Sequence, residues 1–167
     1  MMSTNSLDAP VKQNEDLDNI RFQEAYMSTD QNTEKGQRFF EDMLGRANWD
    51  LADTILATDI VMHHPSSPQP VAGVSNVVGF LGAFRAGFPD MTMKVELAFG
   101  DGEMVAIRWR MSGTHTAELF GIPPSGKSVN VAGISLLRFY NGKVAEDWVA
   151  EDSLGLMQQI GVIPSGS

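Results

Sequence analysis

The sequence predicts an α+β domain in which a curved antiparallel or mixed sheet wraps, cone-like, against three helices that precede it. Three observations carry this. Apolar residues recur at helical spacing up to about residue 87, they alternate with a period of two from Met91 onward, and the alternating stretches are joined by short Gly-containing turns. Helices first and antiparallel strands afterward segregate into a sheet with its helices on one side. Such a layer has an interior where a small molecule can sit.

The elements follow in order. The first 35 residues hold seven acids against three bases, with only scattered apolar positions. Residues 1–33 therefore read as a polar acidic tail, flexible or partly helical, in which Leu17, Ile20, Phe22, Ala25 and Tyr26 can form one short docking helix. A single domain over residues 34–163 comes next. Phe39, Phe40, Met43, Leu44 and Ala47 make a helical stripe, and Asp50 with Asp53 marks the capped start of a second, short helix carrying Leu51, Ile55 and Leu56. A strand over 59–63 is stopped by Pro65, Pro68 and Pro70. Val77, Phe80, Leu81 and Phe84 mark the third helix, ending near Gly87 and Pro89. Strands over 94–99 and 103–112 are joined through Gly100-Asp101-Gly102, and strands over 128–140 and 143–151 through Asn141-Gly142. Between the two pairs lies a proline-stiffened loop, 113–127, which reads either as a cover over a pocket or as a subunit contact. A short helix over 153–160 closes the chain.

Composition narrows the function. The chain has 167 residues, 12 Lys+Arg, 21 Asp+Glu, a net charge of −9 and no cysteine. That length fits one domain with one enclosed pocket. The absence of cysteine excludes disulfides, thiol nucleophiles and thiolate metal sites. With Lys and Arg scattered singly, no surface is built for phosphate backbones, so nucleic acid is not an expected partner. No run approaches the ~20 apolar residues of a membrane span, and the first residues lack the apolar core of a signal peptide. A cytoplasmic protein is the expectation.

The motifs His63-His64-Pro65, Phe88-Pro89-Asp90, Asp101-Gly102-Glu103 and Gly113-Thr114-His115 are followed by Gly121-Ile122-Pro123-Pro124-Ser125-Gly126-Lys127, Gly142-Lys143-Val144-Ala145-Glu146-Asp147-Trp148 and Asp152-Ser153-Leu154-Gly155-Leu156. In this order, over residues 59–161, the chain resembles the SnoaL-like polyketide cyclases, also called predicted ester cyclases. The resemblance implies the nuclear transport factor 2-like fold. It also implies ring closure by intramolecular aldol condensation without metal or organic cofactor, with an aspartate as acid/base. By motif position that aspartate is Asp152. Two features depart from the family: Asp147 stands where many relatives place a histidine, and the short, well-studied cyclases have no counterpart of the acidic tail.

Each candidate residue has a functional and a structural reading. Asp152, as catalytic acid/base, can take a proton α to a carbonyl and return one to the alkoxide; as a structural residue it N-caps the helix that begins at Ser153. His63 and His115 are the other catalytic candidates, His63 as a wall residue or second acid/base group, His115 as a proton shuttle at the pocket mouth. Adjacent histidines on a strand do not easily ligate one metal, so no metal site is expected. Trp148 and Glu146 share parity with Asp152 and are expected to face substrate, with Arg108 as partner for an ester or carboxylate and Phe84 and Ile134 as apolar contacts. The structural readings are a core aromatic for Trp148 and a salt bridge for Arg108. Which neighbours Trp148 meets depends on the hairpin turn. A two-residue loop places it opposite Ser135; a three-residue loop with a bulge places it opposite Ile134 and forms an apolar wall, and this second register is preferred.

The expected function is cyclase-type, cofactor-free acid/base chemistry on a small apolar carbonyl or ester. A hydratase, dehydratase or hydrolase in the same pocket, or a non-catalytic ligand-binding domain, are the alternatives. A homodimer is expected from the resemblance and from Val105, Ile107, Trp109 and Met111, taken as an outward apolar row that needs cover.

Overall fold

A computed structural model of the chain describes residues 9–164. Residues 1–8 of the expected tail, and the side chains of Phe22, Ala25 and Tyr26, lie outside the described residues. From Ala9 the backbone is helical through Arg38 (α1), and a π-helical turn over Phe39–Leu44 continues it. Tail and first helix are thus one rod, because no Gly or Pro interrupts the chain between Val11 and Lys35. Leu17, Ile20 and Met27 remain exposed on it. Its last turns meet the sheet, with Thr29 and Thr33 over Gly100. The π-turn buries Phe39, Phe40, Met43 and Leu44 together, adjacent pairs that a wider turn brings onto one side.

A 3₁₀ turn over Trp49–Leu51 leads into the short α2 (Ala52–Ile55) and β1 (Leu56–His63). After the proline-rich loop come β2 (Val71–Ala72) and α3 (Val74–Gly87). The remaining strands are β3 (Thr92–Asp101), β4 (Met104–Thr114), β5 (Ser128–Tyr140) and β6 (Lys143–Glu151), and α4 (Ser153–Ile160) follows. The six strands form one open mixed sheet in the order β2-β1-β6-β5-β4-β3, with β1 parallel to β6 and the other neighbours antiparallel. The helices before β3 cover one face. No helix among the described residues is long and apolar enough to cross a membrane.

Two details of the sheet decide what faces inward. Val105, Ile107, Trp109 and Met111 are buried toward the helices. The expectation that they form an outward apolar row is corrected: they are the core row of β4, and Arg108 and Arg110 occupy the outer face, ion-paired to Glu96.

The second detail is the β5–β6 hairpin, which follows neither register weighed above. Asn141 and Gly142 both adopt positive φ, so the loop has two residues and Tyr140 pairs with Lys143. A bulge at Ala145 then shifts the pairing, so Arg138 meets Glu146 and Leu136 meets Trp148. Val144 and Asp147, three residues apart, both point inward as a result.

Candidate active site

The inner face of β4–β6, the π-turn of the first helix and α3 enclose a cavity of about 40 Å³, room for a few water molecules. Its walls are aromatic and thioether: Phe40, Phe84 and Trp109 with Met62, Met91, Met93 and Met111 among them. Methionine is flexible enough to let such a space widen around a ligand. Among the described residues, four polar side chains enter the lining, His64, Ser135, Asp147 and Glu151, and no Lys or Arg does.

Ser135 interrupts the apolar inward row of β5 and is fully buried. Its Oγ accepts from Trp109 Nε1–H at 3.4 Å, and its hydroxyl bonds the carboxyl of Asp147. Asp147 is 2% exposed, and its Oδ1 has no hydrogen-bond partner. Burial pushes its pKa up to about 7, and the Ser135 hydrogen bond offsets only part of that rise. Near neutral pH this carboxyl is divided between acid and base forms.

His64 and Glu151 form a second pair. The Ser66 backbone N–H donates to His64 Nδ1 at 3.1 Å, which puts the ring proton of the neutral imidazole on Nε2. That nitrogen lies 3.7 Å from Glu151 Oε2, beyond hydrogen-bond distance, so its N–H is available to a ligand. Burial lowers the His64 pKa to about 4 and keeps the ring neutral. Burial also raises Glu151, against hydrogen bonds from the Ser153 and Ser66 hydroxyls. Phe80 and Phe84 fix the His64 ring at centroid distances of 4.9 and 6.1 Å.

A family model for SnoaL-like polyketide cyclases matches residues 34–160. The chain belongs to the SnoaL-like polyketide cyclase family. Similar solved structures include a proposed SnoaL-like polyketide cyclase from Jannaschia sp. CCS1, 27% identical, with a TM-score of 0.74 over 81% of this chain and 95% of that one. A proposed polyketide cyclase from Acidithiobacillus ferrooxidans is 25% identical, with a TM-score of 0.70 over 78% and 94%. A third, from Streptomyces antibioticus, is 23% identical over 78% and 98% with a TM-score of 0.67, and shares the fold. Comparison with curated proteins yields no match.

Within this SnoaL-like domain only one of the candidate catalytic and substrate-binding residues chosen from the sequence, Phe84, lines the cavity. Asp152 is exposed and N-caps α4, its Oδ1 accepting from Gly155 N–H at 2.8 Å. Its parity, shared with Trp148 and Glu146, is that of the outer face. There Glu146 takes hydrogen bonds from Arg138 and from His63 Nε2 at 2.9 Å, and these hold its pKa down. His63 stacks on Trp148, ring centroids 5.6 Å apart. Arg108 is bound to Glu96 at 2.9 Å, and Ile134 is 48% exposed. His115 is fully buried in the loop base, its Nδ1 beside Ser125 Oγ at 3.2 Å.

Sequence reasoning missed His64, Ser135, Asp147 and Glu151. Two signals were available, a serine in the inward row Val129, Val131, Gly133, Ser135, Leu137, Phe139 and the departure from the family pattern at Asp147 noted above.

Proposed function

We propose that the protein is a cofactor-independent acid/base enzyme of the cyclase type, acting on a small uncharged carbonyl or ester substrate, with Asp147 rather than Asp152 as the acid/base group. The observation that carries the reading is the Asp147 carboxyl. It lines an apolar cavity, leaves one oxygen unpartnered and has a pKa near neutrality. As carboxylate, Asp147 removes the proton α to a carbonyl. The resulting enolate carbon attacks a second carbonyl of the same molecule, one carbon–carbon bond forms, and Asp147 returns its proton to the new alkoxide. Nothing leaves, so product and substrate are isomers. The His64 Nε2–H donates to the oxygen that gains charge, as a neutral imidazole can. Ser135 orients Asp147.

The lining supports a neutral substrate, since it holds two carboxyl groups and no cation. Asp147→Asn tests the assignment: turnover should fall at least about 100-fold, the contribution usual for a positioned acid/base group, while binding of substrate persists. Full activity in that variant would remove Asp147 from the mechanism, and an uncyclised product differing from substrate by water would replace cyclisation with hydration or dehydration.

We also propose a homodimer, formed through the outer face of the sheet. Leu97, Phe99, Ile134 and Leu136 are exposed there, and cross-strand pairing sets Phe99, Ala106, Leu136 and Trp148 side by side on four adjacent strands. Light scattering should give twice the chain mass for the wild type and a single chain mass for Leu136→Asp; a monomeric wild type overturns it.

A further inference from the structure

The cavity beside Asp147 is too small to hold a substrate with two reacting carbonyls and its remaining atoms. Its 40 Å³ is far below the ~300 Å³ at which ligand pockets begin. A groove of about 340 Å³ adjoins it. His64 and Val149 line both spaces and form the partition between them. The far wall is the turn after β1, where Pro65, Pro68 and Pro70 limit backbone freedom. Two hydrogen bonds hold that turn in place, Ser67 N–H to the His64 carbonyl at 2.9 Å and the Ser67 hydroxyl to the Gln69 carbonyl at 2.6 Å.

We propose that this groove is an outer substrate subsite, taking the non-reacting part of a molecule whose carbonyl end passes between His64 and Val149 to reach Asp147. The inference rests on the assignment of the inner cavity as the reaction site. Among the described residues, the groove is lined by proline rings, a Gln amide, a Ser hydroxyl and imidazoles, with no Lys, Arg, Asp or Glu. It therefore suits an uncharged chain or ring with an oxygen acceptor for the Gln69 amide, the Ser67 hydroxyl being already donated to the Gln69 carbonyl. A second groove, about 290 Å³ on the outer face by Arg108, Ile134 and Asp152, shares Glu151 with the cavity. It is separated from the cavity by the hydrogen-bonded pairs of β5 and β6 from Gly133–Glu151 to Ser135–Val149, which no ligand crosses.

Amide chemical-shift mapping with two neutral ketones, butanone and the longer naphthalenyl ketone prodan, tests this on the full chain. Butanone should shift the amides of Ser135 and Asp147 and leave those of Ser67 and Gln69 unmoved. Prodan should shift all four. Gln69→Trp, at an exposed position, fills the groove; it should weaken prodan about tenfold, the equivalent of about two buried methylene groups, and leave butanone within twofold. The subsite is overturned if butanone marks the cavity while prodan leaves the groove amides unmoved, or if Gln69→Trp weakens both ketones alike. If neither ketone moves Ser135 or Asp147, the inner cavity itself is not the binding site and both readings fall.

Discussion

Replacing Asp147 by Asn should make the protein more stable at alkaline pH and leave its acid stability nearly unchanged. Folding raises the carboxyl from 3.8 to about 7. Between those values the folded state holds a proton that the unfolded chain has released. Stability therefore falls as pH rises, by about 1.4 kcal/mol per pH unit, and levels off above the folded pKa. The shift of about three units corresponds to roughly 4 kcal/mol lost between pH 3.8 and pH 7, the cost of a carboxylate in an apolar wall. Asn has the same shape and no such proton, so the variant escapes this loss. Urea unfolding of both proteins from pH 4 to pH 8 gives the difference directly. His64, whose folded pKa is lowered, loses stability as pH falls, and Glu151 resembles Asp147 in sign. Both are present in each protein and cancel to first order. A stability difference that stays flat with pH, or that shrinks toward pH 8, would refute the buried, protonatable carboxyl and the mechanism built on it.

Three further substitutions probe the surroundings of that group. Ser135→Ala removes the hydrogen bond that favours the carboxylate, so the alkaline rise of the pH–rate profile assigned to Asp147 should move to higher pH; an unmoved profile would show that Ser135 does not touch the reacting group. Gly133→Ala should cost about 1–3 kcal/mol by urea unfolding, because a Cβ there would overlap the Trp109 ring, itself stacked on Phe40 and bonded to Ser135. Asp152→Ala should lower stability by about 1 kcal/mol through loss of the α4 cap, with turnover persisting; abolished turnover would return the acid/base role to Asp152.

Much of the fold is legible in the sequence because strand alternation and turn chemistry are local. The hairpin at Asn141-Gly142, the alternation of an apolar and an arginine-bearing face along β4, and the cap at Asp152 each follow from a few neighbouring residues, whereas which face of β4 turns inward depends on the distant helices that cover it. The length of α1 is less legible, since its polar residues carry little amphipathic signal and its last turns are held by contacts with the distant β3. The site is the least legible part. Parity counted back from Asp152 puts Trp148 and Glu146 with it, and that grouping is correct. The group faces away from the cavity, a fact set by an unpaired residue that alternation does not reveal.

That residue is Ala145, and the chemistry of the domain depends on it. Without the bulge, the strict two-residue register at Tyr140–Lys143 would continue, and Asp147 would leave the inward row that Val144 begins. Glu146 and Trp148 would then point inward, exchanging the Arg138 and His63 partners of Glu146 for an apolar wall without cations. The bulged strand avoids that. It leaves the Glu146 carboxylate with Arg138 and His63 outside, where its pKa is held low, and places inside a carboxyl whose main partner is a neutral hydroxyl. Two adjacent acids on one strand thereby acquire opposite shifts. The one that can exchange a proton near neutral pH is the one that the cavity encloses.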